Sequence, residues 1–149
     1  MIGSMSMIDA IAIVTAAILL ALAGLHVYWL SGRTWPGHDA ASLNAMVIGG
    51  RPGAALPPRP MTALVSAGLV GIAIGALAAR GLVAPPFPGA VRALTWVAAS
   101  VLALRGIGGF FDRWMRPHTA ELPFARLNVR IYSPLALALA AGLGAALLG

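Results

Sequence analysis

Apolar residues fall into four long runs, 7–30, 61–79, 88–111 and 133–148, separated by stretches rich in proline, glycine and arginine. Each run is long enough to cross a hydrocarbon core about 30 Å thick as a helix, the last with least to spare. The pattern predicts an all-α fold, an integral membrane bundle of four transmembrane helices forming a single membrane domain over 1–149. Punctuation agrees: Pro57, Pro58 and Pro60 stop any helix before the second run, and Pro85, Pro86 and Pro88 turn the chain into the third. Ser133-Pro134 reads as an N-cap with proline at the first helical position of the fourth. Two long loops, 31–60 and 112–132, then lie on one side of the membrane, with a short interfacial helix expected at 39–47. The first run carries Asp9 and no positive charge ahead of it, and it exceeds the usual apolar length of a signal peptide; it reads as a span. The stretch 124–132 alternates polar and apolar residues strictly, and period two predicts an extended segment with Arg126, Asn128, Arg130 and Tyr132 along one side.

Composition sharpens this picture mainly by exclusion. Of 149 residues 60% are apolar and 9% charged, whereas soluble domains carry about 25% charged residues, so an ordinary soluble enzyme is ruled out. Cysteine is absent, which removes thiol–disulfide chemistry and thiolate metal sites. All ten basic residues are arginine, which removes Schiff-base chemistry and the P-loop lysine. Asp9, Asp39, Asp112, Glu121, His26, His38 and His118 are too few and too scattered for calcium, zinc-hydrolase or di-iron centres, and neither a metal nor a cofactor is expected. The net charge of +6 comes from arginines flanking the spans, a pattern of membrane orientation rather than nucleic-acid binding. Most of them lie in the two long loops. The positive-inside rule then puts those loops in the cytoplasm and the protein in the inner membrane.

Candidate chemistry gathers at the long-loop end. All three histidines, both tyrosines, Trp29, Trp35 and Trp114 fall there, and the opposite end is nearly bare. A chain that merely spans carries aromatics at both interfaces. Arg105 sits inside an apolar run, where arginine is costly and faces a cavity or a partner, or else snorkels to the headgroups. Asp112 follows seven residues later, about 10.5 Å along the same helical face, with Gly108 and Gly109 between them. That spacing predicts a notch with a cation at one end and a carboxylate at the other. His26 and Trp29 share a face at i, i+3. His26 is a proton carrier, a ligand contact or metal ligand, or a structural donor, while Tyr28 and Trp29 suit an interfacial belt. The row of Arg126, Asn128, Arg130 and Tyr132 suits phosphate, carboxylate or a quinone carbonyl; its alternative is contact with anionic lipid heads. Gly71 and Gly75 form a GxxxG that serves either internal packing or a homodimer.

The segments Gly24-Leu-His-Val-Tyr-Trp29, Leu104-Arg-Gly-Ile-Gly-Gly-Phe110 and Phe124-Ala-Arg-Leu-Asn-Val-Arg-Ile-Tyr-Ser-Pro-Leu135 together resemble a family of small bacterial four-helix membrane proteins, known as a domain of unknown function. The resemblance spans roughly residues 10 to 145, and Tyr-Ser-Pro-Leu is its most specific part. It implies the four-span architecture and brings no activity, substrate or cofactor. An aspartate is usual where this chain has Asn128, so no acid–base role falls to that position.

These readings converge on a membrane-embedded enzyme or ligand-handling protein that binds a lipophilic small molecule with a polar or anionic head, such as an isoprenoid or quinone; if an enzyme, it converts that molecule by metal-free proton transfer of the isomerase or cyclase type. His26, Asp112 and Tyr132 are the expected proton-transfer residues; Tyr28, Trp29, Arg105, Arg126, Asn128 and Arg130 are the expected ligand contacts. The alternative is a non-catalytic membrane subunit docking a partner protein or lipid. A small transporter fits less well, because no acid lies near the middle of a span.

Overall fold

Ser6 and Asp9 open the first helix with a reciprocal capping box, each side chain accepting from the other's backbone N–H at 3.1 Å. The computed structural model describes residues 5–51 and 53–149. Helix α1 (Met7–Leu30) is followed by α2 (Ala40–Leu43), which Asp39 caps by accepting from the Ser42 N–H at 2.8 Å. The same Ser42 N–H and hydroxyl hold the Asp39 carboxyl below the usual carboxylate range. A π-turn (Asn44–Ile48) continues α2 and ends at Gly49, whose φ of +68° glycine adopts freely. Helix α3 (Arg59–Ala79) starts just after Pro58 and carries Pro60 in its first turn, where a missing N–H costs nothing. It closes in a Schellman arrangement: Gly81 donates to Ala78 and Leu82 to Leu77. Helix α4 (Pro88–Phe110) leads into α5 (Asp112–Met115) and a 3₁₀ turn at Pro117–Thr119. The last membrane helix comprises α6 (Pro123–Leu127), a second π-turn (Asn128–Tyr132) and α7 (Ser133–Leu148).

The structure corrects two local expectations. The 124–132 stretch is helical, not extended. Positions two apart lie about 200° apart around a helix, so strict alternation is also produced by two i, i+4 pairs on opposite faces. Arg126 and Arg130 form the exposed pair, while Asn128 is buried and Tyr132 half-buried. Ser133 is therefore no N-cap: the helix begins ten residues earlier, at Pro123. Pro134 lacks the N–H an α-turn requires, and the chain bonds one residue wider just before it, Ser133 N–H reaching Asn128 O.

The four long helices pack in the order α1, α3, α4, α7, with α7 returning to α1. Their centre is built from small residues with leucines as knobs: Ala16, Leu19, Ala73, Ala76, Ala99, Leu139 and Leu143. In lipid, where apolar burial gives little net drive, close van der Waals approach and a few polar bonds hold such helices together. Gly75 lies directly under the Thr95 side chain and Gly142 under that of Thr15, and the Ser66 hydroxyl donates to Ala23 O across 3.0 Å. Gly75 is thus committed to the α3–α4 seam, while Gly71 faces open space. Outward positions such as Val14, Leu64, Leu94, Val101 and Leu104 are exposed and apolar. Four helices long and apolar enough to cross a bilayer, with an apolar exterior, make this a multi-pass membrane-embedded bundle.

Candidate functional site

Between the long-loop ends of α1, α3 and α4 lies a cavity of about 580 Å³. His26, Trp29 and Leu30 reach it from α1; Arg59, Met61, Thr62 and Val65 from α3; Arg105 from α4. Leu43, Val47 and Ile48 of the first loop cover it, and Arg116 and Phe124 come from the second. Ordinary small-molecule sites measure about 300–1,000 Å³ and are mostly apolar with a few polar groups, and this one has that character.

The cover is fastened by physical necessity. A helix that ends leaves unpaired carbonyls, and the short first-loop helix ends at the cavity. Arg116 Nη1 donates to Ile48 O (3.3 Å), His118 Nε2 to Gly49 O (3.2 Å) and Tyr132 OH to Met46 O (3.1 Å). Phe124, almost fully buried, packs its ring against Gly49, where a Cβ would collide with it. Asn44 fixes the following turn, donating to Ala54 O and Ala55 O at 3.0 Å each and accepting from Gly50 N–H at 2.9 Å. The second loop is therefore a clamp on the first.

Arg105 is held by a neutral partner. Its Nη2 donates to Asn128 Oδ1 at 2.8 Å; Asn128 Nδ2 donates to Gly109 O at 2.8 Å, and the Ser133 hydroxyl donates to Asn128 Oδ1 at 3.3 Å. Asn128 is 1% exposed, so this network replaces water around its amide. Gly109 makes the approach possible, because a Cβ there would meet the Ser133 hydroxyl and Arg105 Nη1. The expected notch between Arg105 and Asp112 does not form. Helix α4 stops at Phe110, and Asp112 opens the next short helix and lines a different cleft from Arg105. Asp112 instead pairs with Arg116 (2.6 Å) and receives the Thr119 hydroxyl at 3.1 Å. Its role is to fix the clamp.

His26 Nδ1 lies 2.8 Å from Leu22 O. A carbonyl only accepts, so this nitrogen carries the proton, and Nε2 is the nitrogen left to a ligand in the cavity. The Trp29 ring meets the imidazole edge-on at 4.9 Å, and Trp29 Nε1 donates to Trp35 O. Tyr28 turns to Arg33, whose guanidinium stacks on its ring at 5.4 Å. Arg126, Asn128, Arg130 and Asp112 line a second cleft of about 550 Å³ together with Arg113, on the other side of the Asn128 network. The predicted residues thus divide. His26, Trp29 and Arg105 share the cavity; Arg126 and Arg130 belong to the cleft; Tyr28 and Tyr132 line neither.

The profile of a family described as a protein of unknown function (DUF3995) matches residues 10–143. The chain belongs to that family. Its matched range takes in most of all four membrane helices and both long loops, and with them every residue of the cavity. Among curated proteins and solved structures, none matches.

Sequence reasoning missed Arg59, Arg116 and Phe124 at the cavity. Arg116 carried a signal, its i, i+4 spacing from Asp112. Arg59, between prolines, carried none.

Proposed function

We propose that this DUF3995 protein binds a lipophilic small molecule with a polar or anionic head in the 580 Å³ cavity and acts on it by proton transfer. The observation that carries this reading is Arg105: a cation within an apolar helix, opening on a mostly apolar cavity and fixed there by an amide rather than a carboxylate. An isoprenoid- or quinone-like tail fits against Leu30, Val47, Ile48, Val65 and Phe124, and the head meets Arg105. His26 Nε2 is the proton acceptor, oriented by the bond from Nδ1 to Leu22 O. The arginine bias of the long loops supports a cytoplasmic position for them, with the protein in a bacterial inner membrane.

The test is mass spectrometry of small molecules retained by the protein in mild detergent, for wild type and Arg105→Gln. A specific lipophile held by the wild type and lost from a folded variant supports the reading. Bulk lipid alone in both overturns it. A second reading, a non-catalytic subunit, draws on the exposed Trp35, Trp114 and Met115 at the long-loop end. It requires a partner protein that co-purifies while no lipophile does.

A further inference from the structure

Three guanidinium groups line the cavity, from Arg59, Arg105 and Arg116, and among the described residues no carboxylate lines it. Arg116 is neutralised by Asp112 at 2.6 Å and spends a further donor on Ile48 O. Arg59 and Arg105 have no ion-pair partner among the described residues. Two positive charges therefore face an apolar space.

A guanidinium has five N–H donors, and Arg105 spends one, on Asn128. Arg105 is an exposed residue, so its remaining donors are open rather than enclosed. A neutral carbonyl or hydroxyl accepts a bond or two from such a group and cancels no charge. A phosphate ester accepts from several donors, matches the planar fork and brings negative charge to a cavity that holds two guanidinium groups unpaired among the described residues. Hydrogen bonds between two charged groups are about twice as strong as neutral ones, and that difference decides.

Resting on the reading above, we propose that the cavity takes a single-chain lipid phosphate, a prenyl-type monoester or diphosphate, in preference to a neutral quinone or alcohol. Arg105 lies five residues before the end of α4, about 7.5 Å in from it, so a head held there is near the interface. The chain then runs among Leu30, Val65 and Met61, within a volume that suits one tail.

The experiment titrates detergent-solubilised protein with farnesyl phosphate, farnesol and inorganic phosphate. Intrinsic tryptophan fluorescence is the readout, with Trp29→Phe to assign the response to the cavity. Farnesyl phosphate is expected to bind at least about tenfold tighter than farnesol, as charge-assisted bonds imply. Arg105→Gln and Arg59→Gln should each lose most of that preference, the loss falling far more on farnesyl phosphate than on farnesol. Arg59 takes part in no contact of the fold described above, which keeps the test valid if the Arg105 variant unfolds. Equal affinity for farnesyl phosphate and farnesol overturns the phosphate preference and leaves the lipophile-binding reading standing. Inorganic phosphate binding as tightly as farnesyl phosphate, or no binding by any of the three, overturns both.

Discussion

The two ends of the bundle use arginine differently. At the short-loop end Arg80 meets Asp9 at 2.9 Å, and Arg92 donates at 2.7 Å to Leu147 O, capping the last turn of α7. Each finds negative charge already in the chain, a carboxylate in one case and the carbonyl end of a helix in the other. At the long-loop end Arg105 finds an amide, and Arg59 finds no partner among the described residues. At the short-loop end both arginines complete the fold; at the long-loop end Arg116 does the same through Asp112, while Arg105 and Arg59 are left without an anion among the described residues. Residue type alone does not separate the two uses. What separates them is whether the folded chain returns an anion to the same place.

The comparison is sharpened most by exchanging the two ends. Arg105→Gln should cost the ligand, with bound lipophile falling at least about tenfold, whereas Arg80→Gln should leave ligand retention unchanged and lower only thermal stability. Mass spectrometry with a thermal unfolding curve reads both. Equal ligand loss in the two variants would erase the distinction between the ends.

Next in size is a pair of neighbouring glycines. Gly109→Ala drives a methyl into the Ser133 hydroxyl and Arg105 Nη1 and should destabilise by about 1–3 kcal/mol, as overpacking does. A methyl at Gly108 would meet no atom within 4 Å, and Gly108→Ala should be neutral or stabilising by up to about 1 kcal/mol. Chemical unfolding in detergent separates them. Asn128→Asp would give Arg105 the carboxylate that Arg80 already has. The expected outcome is a folded protein with weaker anion binding and unchanged affinity for a neutral lipophile, measured by titration.

The architecture was legible because span length and proline punctuation are local properties, each readable over about 20 residues. Period was less secure: 124–132 alternates like a strand, yet it is two helical i, i+4 pairs joined through a π-turn. Only the burial of Asn128 against Gly109 distinguishes the cases, and that contact is nineteen residues distant in sequence. Arg105, His26 and Trp29 were visible as polar groups out of place in apolar runs. Asp112 was misplaced because a helical projection was carried two residues past the end of α4. Arg59 reaches the cavity only through the docking of α3, and no local pattern marks it.

The smallest expected effect tests the cover of the cavity. Asp39, held below the usual carboxylate range by Ser42, stabilises α2 fully above its unfolded pKa. That contribution is lost as pH falls through the lowered folded value, so protection of the Ser42 amide from hydrogen exchange, corrected for intrinsic rate, should fall only in the acid range. Asp39→Ala should remove the pH dependence.

An experimental structure of the protein purified with its native lipid tests the role of Arg105 most directly. The expected result is elongated density in the cavity, its head against the Arg105 and Arg59 guanidinium groups and its flank near His26. A cavity holding only water, with Arg105 released from Asn128 and extended to the headgroup layer, would contradict it.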